Sequence, residues 1–317
     1  MRRVIPALLC GLLLTPATAR AAEVRTAIFF YPWYSNPAHD GAYAHWQQNG
    51  HLPPADVASV FFPVRGAYSS SDPRVLRAQM RDIARAGVDQ VVSSWWGWGS
   101  EEDERLPDVV RAAHRYRLSV AVHLEPYVGR SPETIAADLQ HLRGVGVRDV
   151  YVYRAEDLTV EEWSSLNLRL SGLRVFAQTN RVGFAARGGF AGFYTYDVLE
   201  YGGAKFARFC QQAHEVGILC APSVGPGYSA YPVNGDPRVK PREDGATYDC
   251  MWRAALDARA DIVTITSYNE WGEGTQIEPA GRGGRYESYD GAYGLRGRAA
   301  QQAYLKRTAY WTRLARR

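Results

Sequence analysis

Cysteine is scarce in this chain, four residues in 317, and no two are spaced as CxxC. Zinc ribbons and thioredoxin-like redox sites need that spacing, so neither is expected. There is no G-x-S-x-G, the sharp strand-to-helix turn that presents a nucleophilic serine. No glycine-rich phosphate loop follows the first apolar run. "FFYPWYSNP" stands there instead, which argues against a dinucleotide-binding open sheet. His45, His51 and His123 show no ligand spacing with nearby acids, so no metal and no cofactor is expected. Beyond the first residues no run is long enough to cross a membrane, and no repeat, linker or low-complexity segment breaks the chain.

The opening "MRRVIPALLCGLLLTPATARAAEV" carries Arg2 and Arg3, an apolar stretch ending near Leu14, and the small-residue patterns Ala17-Thr18-Ala19 and Ala19-Arg20-Ala21. It reads as a secretory signal over 1–21, cleaved near 19 or 21, with the mature chain at 22–317 exported to the periplasm or outside the cell. Leu9 before Cys10 is not the small residue that lipid attachment needs, so no anchor is expected. Losing Arg2, Arg3 and, with the later cut, Arg20 lowers the net charge from +4 to about +2 or +1. A nucleic-acid partner is therefore not implied. Of the remaining thiols, Cys210, Cys220 and Cys250, two can pair in an oxidising compartment, and the sequence does not choose which.

What the chain has is alternation. Apolar runs of strand length fall at 25–31, 88–95, 118–125, 148–153, 173–178, 190–196, 218–223 and 261–267, with helical patterns near 73–86, 104–116, 132–143, 159–167, 201–216, 246–259 and 298–314. Asp72-Pro73 and Ser131-Pro132 supply helix caps with proline in the first turn. Near-continuous apolar strands separated by helices predict a parallel sheet covered by helices, and eight of them predict a single (β/α)8 barrel.

The chemistry-bearing residues collect where these strands end. The first runs into Tyr31, Trp33 and Tyr34; the second into Trp95-Trp96-Gly97-Trp98; the third into His123-Leu124-Glu125-Pro126-Tyr127. The sixth gives Tyr194, Tyr196 and Asp197, the seventh leads to Tyr228, and the eighth to Asn269-Glu270-Trp271-Gly272-Glu273. In a barrel those ends form the face that carries active sites. Trp95 reads as core, whereas Trp96 and Trp98, beside glycines, suit a platform for sugar rings. An apolar strand seldom ends in an inward acid without a task, so Glu125 is a candidate, with His123 as its hydrogen-bond partner or as a core histidine. Glu270 and Glu273 can work as an acid/base pair on a glycosidic bond.

"FFYPWYSNPAHDGAYAHW", "AYSSSDPRVLRAQMRDIARAGVDQVVSSWWG", "VHLEPY", "GFYTYD", "PSVGPGY" and "TSYNEWGEGTQIEP", in order from about residue 27 to 280, resemble glycoside hydrolase family 99, the endo-α-mannosidases and endo-α-1,2-mannanases. The resemblance implies a (β/α)8 barrel that cleaves internal α-mannosidic bonds with retention and without a metal, on an α-mannan-like oligosaccharide or polysaccharide. It implies that Glu270 is the base acting on the substrate's 2-hydroxyl to form a 1,2-anhydro sugar, and that Glu273 is the general acid. The substrate-binding set then comprises Tyr31, Trp33, Tyr34, His45, Trp46, Trp96, His123, Glu125, Tyr127, Tyr194, Tyr196, Tyr228, Asn269 and Trp271. The mature chain is expected to be a monomer. There are two departures from the family pattern: Gly272 where members often have a bulkier residue, and a shorter stretch at 144–180 lacking their aromatic segment. The residues alone leave open another α-linked bacterial polysaccharide as substrate, or a non-catalytic carbohydrate-binding or export accessory protein.

Overall fold

A computed structural model describes residues 23–317 of the chain; the signal-peptide expectation lies outside them. The strands are β1 Arg25–Phe30, β2 Gln90–Trp95, β3 Ser119–Leu124, β4 Asp149–Val152, β5 Arg174–Gln178, β6 Gly192–Tyr194, β7 Leu219–Ala221, β8 Ser223–Val224, β9 Tyr228–Ser229, β10 Val239–Lys240 and β11 Ile262–Ile265. All but β9 and β10 form one parallel sheet in the order β7-β6-β5-β4-β3-β2-β1-β11-β8. β7 pairs with β6 and β8 with β11, so these two short strands share the seventh position and close a (β/α)8 barrel. The expected strand 218–223 is thus two pieces. Pro222 has no N–H to give a sheet partner, and the ladder breaks there.

The barrel interior changes character from one end to the other. Near the amino ends of the strands Gln90 donates to Asp149 (2.8 Å), which also receives the Arg174 guanidinium (2.7 Å). Above them Phe29 packs against His123 at 4.6 Å and Tyr194 at 5.6 Å between ring centres. At the carboxyl ends the lining turns acidic.

The helices cover the barrel for local reasons. In Pro73–Arg85, the Asp72 side chain accepts from Arg74 N–H, and Leu76, Gln79, Met80 and Ile83 are buried on one stripe. Ser131 and Thr134 close a capping box on Pro132–Gly144, as Thr159 and Glu162 do on Val160–Asn167. Val182–Arg187 is a helix that the sequence reading lacked; it has only six residues and no side-chain cap. The helix expected at 201–216 begins at Phe206, and the last one, Ala303–Ala315, follows a 3-10 stretch Gly297–Gln302. Cys210 and Cys220 form a disulfide tying the helix Phe206–Glu215 to β7, and Cys250 is an exposed free thiol.

Candidate active site

The turn after β11 sorts its side chains by alternation. Asn269 and Trp271 point down into the scaffold and are fully buried. The Asn269 Oδ1 accepts from Tyr31 N–H (2.8 Å), and its Nδ2 donates to Tyr31 C=O (2.9 Å). The Tyr34 hydroxyl donates to Asn269 C=O (3.0 Å) and accepts from Trp271 N–H (3.1 Å). Held between those anchors, Glu270 donates its own N–H to Ser267 Oγ (2.8 Å), and its Oε1 accepts from Gly272 N–H (3.0 Å).

At the floor the Tyr31 and Tyr196 hydroxyls bond to each other. Burial drives the Tyr31 hydroxyl well above its ordinary value, and the charges of Glu125, Glu270 and Glu273 all add to this. The charges of three carboxylates thus reach the Tyr31 hydroxyl, and those of Glu270 and Glu273 reach Tyr196 as well. Tyr196 holds a left-handed backbone (φ 53°), unusual for an aromatic residue. It is held there by its N–H on Ser223 Oγ (2.7 Å) and by Thr266 Oγ1 donating to its carbonyl (3.0 Å). Glu125 receives Ser94 Oγ (2.8 Å) and lies 3.0 Å from His123 Nδ1, while His123 Nε2 meets the Tyr194 hydroxyl at 2.9 Å.

Both acids of the turn are raised. Burial and then the Glu273 charge lift Glu270 well above the usual carboxylate range, opposed by the N–H groups of Glu273 and Gly272. Burial, then Asp197 and Glu125, lift Glu273 to about 7. Beside Glu273 lies a cavity of about 160 Å³ lined by Tyr153, Tyr196, Asp197, Tyr228 and Arg238. A strap carrying the β9–β10 hairpin forms its wall. Ser229 N–H donates to Glu273 C=O (2.8 Å), and Arg242 Nη2 reaches Gly274 C=O (2.9 Å) and Gln276 C=O (2.7 Å). Strap and turn meet at Gly272, where a Cβ would come within 3.0 Å of Glu270 Oε1 and 3.1 Å of Val233 Cγ2. Among the described residues no group of His, Cys, Asp and Glu side chains is arranged to hold a metal ion, and no helix is long and apolar enough to cross a membrane.

The sequence profile of glycosyl hydrolase family 99 matches residues 22–317. The chain belongs to glycosyl hydrolase family 99. The human glycoprotein endo-alpha-1,2-mannosidase-like protein is 30% identical over 84% of this chain and 71% of its own length. The glycoprotein endo-alpha-1,2-mannosidase of Xenopus laevis is 33% identical over 80% of this chain and 69% of its own. The solved structure of the family 99 endo-alpha-mannosidase from Bacteroides thetaiotaomicron superposes with a TM-score of 0.83 at 28% identity, covering 92% of this chain and 98% of that one. This family 99 chain is a glycoside hydrolase of the endo-acting kind, on the barrel that the alternation of strands and helices predicted.

Within the family 99 barrel the expected site residues fall into two layers. Tyr31, Glu125, Tyr196, Glu270 and Glu273 meet at the floor described above. Trp33 is half-buried and stacks on His45 at 4.4 Å and 8°. Burial and the Arg105 charge hold His45 down at about 4, so its ring is neutral at pH 7. Trp96 stands exposed at the end of β2, Tyr127 bonds Asp138 through its hydroxyl, and Tyr228 reaches Asp236 at 3.0 Å. A second group lies deeper. Tyr34, Trp46, Tyr194, Asn269 and Trp271 are 0–2% exposed and spend polar atoms on neighbouring protein groups, as the equally buried His123 does through Nε2. Asn269 in particular serves the Tyr31 backbone and not Glu270. Tyr153 was missed, although it too ends an apolar strand, and Ser94 offered no signal beyond its place one residue before Trp95.

Proposed function

We propose that this family 99 hydrolase cleaves internal α-mannosidic bonds with retention, through a 1,2-anhydro sugar formed by the substrate's own 2-hydroxyl. The observation that carries the reading is the pair of acids Glu270 and Glu273 on one turn after β11, beside the bonded Tyr31 and Tyr196 hydroxyls, with Glu125 near enough for its charge to act on Tyr31. The printed names of its relatives, endo-alpha-1,2-mannosidase and endo-alpha-mannosidase, support the substrate class. In the first step Glu270 takes the 2-hydroxyl proton, O2 attacks C1, and the glycosidic bond breaks as Glu273 protonates the leaving oxygen. In the second, Glu273 deprotonates a water that opens the three-membered ring at C1, and Glu270 returns its proton to O2. Each acid ends as it began. A base lifted by burial removes a weakly acidic hydroxyl proton more readily than an ordinary carboxylate, once it is ionised. The mechanism needs Glu270 ionised and Glu273 protonated; burial raises both acids, so a proton held by Glu270 must leave before the first step.

A panel of α-mannan fragments and other α-linked glycans, digested with the mature protein, tests the reading. Internal cleavage of α-mannosides with an α-configured product is expected. Glycan binding without any release of reducing ends would leave an accessory protein instead.

The chain is proposed to act after export, as a monomer. The Cys210–Cys220 disulfide supports an oxidising compartment. N-terminal sequencing of the exported protein is expected to begin at Arg20 or Ala22, and material still carrying "ALLCGLLL" would remove the secretory reading.

A further inference from the structure

The stretch that bears the two acids has a third carboxylate, which the reaction does not use. Glu278 is fully buried, five residues beyond the acid Glu273. Its Oε1 accepts from Arg65 Nη1 and from Gln79 Nε2, both at 3.0 Å. Its Oε2 accepts from the Tyr68 hydroxyl at 2.8 Å and from Trp271 Nε1 at 3.0 Å. Two donors on each oxygen leave no room for a proton, so Glu278 is an obligate acceptor.

That fixes the direction of every bond leading away from it. The Tyr68 hydroxyl hydrogen must point at Glu278, so the Tyr68 oxygen can only accept on its other side. It does so from Asn269 Nδ2 at 3.3 Å, and it shares the single Trp271 Nε1 hydrogen (3.3 Å) with Glu278, which holds it at the shorter distance. The Asn269 amide is then set with Nδ2 toward Tyr68 and Oδ1 toward Tyr31 N–H (2.8 Å), the only orientation that also gives Tyr31 C=O its donor. Tyr31 carries the hydroxyl that the charges of the three carboxylates reach. Asn269 and Trp271 flank Glu270 on both sides.

We infer that Glu278 is a positioning residue for the reaction: through Tyr68, Trp271 and Asn269 it sets the orientation of the turn that carries Glu270 and Glu273 and its registry with Tyr31. The inference rests on the reading that those two acids do the chemistry. A buried carboxylate of this kind is a bond-direction master. Glutamine in its place can donate as well as accept, which frees the Tyr68 hydroxyl to turn and the Asn269 amide to flip.

The test separates positioning from stability. Glu278→Gln and Tyr68→Phe are each expected to lower kcat about 30–100-fold, as a misplacement of the order of 1 Å does, with KM within about twofold of wild type. Tyr68→Phe leaves Arg65, Gln79 and Trp271 on Glu278, so it carries the test if Glu278→Gln fails to fold. Asp249→Asn serves as the structural control. It breaks the half-buried cluster with Arg307 (2.7 Å) and Trp311 (2.8 Å) on the outer helices and is expected to lower Tm with kcat unchanged. Full kcat in Tyr68→Phe, or an equal kcat loss in Asp249→Asn at the same Tm, overturns the inference and leaves Glu278 a stabilising group. A wild type inactive on every glycan overturns the functional reading and this inference with it.

Discussion

Glu270→Gln abolishes turnover, by about 10⁴-fold or more, on natural glycans and on aryl or fluoride mannosides alike. The amide keeps the shape of the side chain and the bond that Oε1 accepts from Gly272 N–H, so the turn stays in place. It cannot take a proton from the substrate. Without that transfer the 2-hydroxyl remains a poor nucleophile, and a better leaving group does not help. The same logic makes a 2-O-methyl or 2-deoxy mannoside inert to the wild type. Initial-rate measurements on a matched pair, 2-hydroxy and 2-O-methyl with one leaving group, decide the matter. Normal hydrolysis of the 2-O-methyl compound together with an active Glu270→Gln would rule out the participation mechanism and leave only the fold and family.

Glu273→Gln separates substrates that Glu270→Gln treats alike. Natural glycans leave as alkoxides and need a proton, so their kcat/KM is expected to fall about 10²–10⁴-fold. Fluoride and activated aryl substrates need none and are expected to keep most of their rate through the first step. The pH dependence carries the same sign. Burial and the Asp197 charge set Glu273 at about 7, and the acid works only when protonated. On natural glycans the wild-type rate should therefore drop about tenfold per unit above that pH, and it should also fall on the acid side as Glu270, itself lifted by burial, takes up a proton. The fluoride substrate should lack this alkaline limb, and so should Glu273→Gln on any substrate. An unchanged alkaline limb in the variant would move the role of acid to another residue, with Asp197 the first to examine, since it lines the same cavity.

The barrel was legible because its signal is repeated: eight apolar runs, each followed by a helical pattern, survive errors in any one of them. Pro222 was visible inside the seventh run, and the rule that proline interrupts a central strand would have split it. Val182–Arg187 was not visible, since six residues without a cap give periodicity nothing to repeat. At the site, position was readable and depth was not. Glu125 stands out because a carboxylate closing "VAVHL" has no place in an apolar interior. Trp33 and Trp46, by contrast, look equivalent in sequence, yet one stacks on His45 in the upper layer and the other lies 1% exposed with its indole N–H on Tyr68 C=O. An aromatic ring suits a sugar and a core equally, and only the fold decides which it meets. The disulfide partner was undecidable for a similar reason: it depends on the helix Phe206–Glu215 packing on β7, a tertiary fact.

The contact at Gly272 ties two distant parts of the chain into one unit of variation. The space a side chain would fill at position 272 is occupied from the strap by Val233 and from the turn by Glu270 itself. A larger residue at 272 therefore requires Val233 or the Glu270 side chain to give way by a few tenths of an ångström. Conversely, trimming Val233 opens a hole beside the base that glycine cannot fill. Changes at positions 272 and 233 are therefore coupled, and the shape of this wall of the site depends on both together.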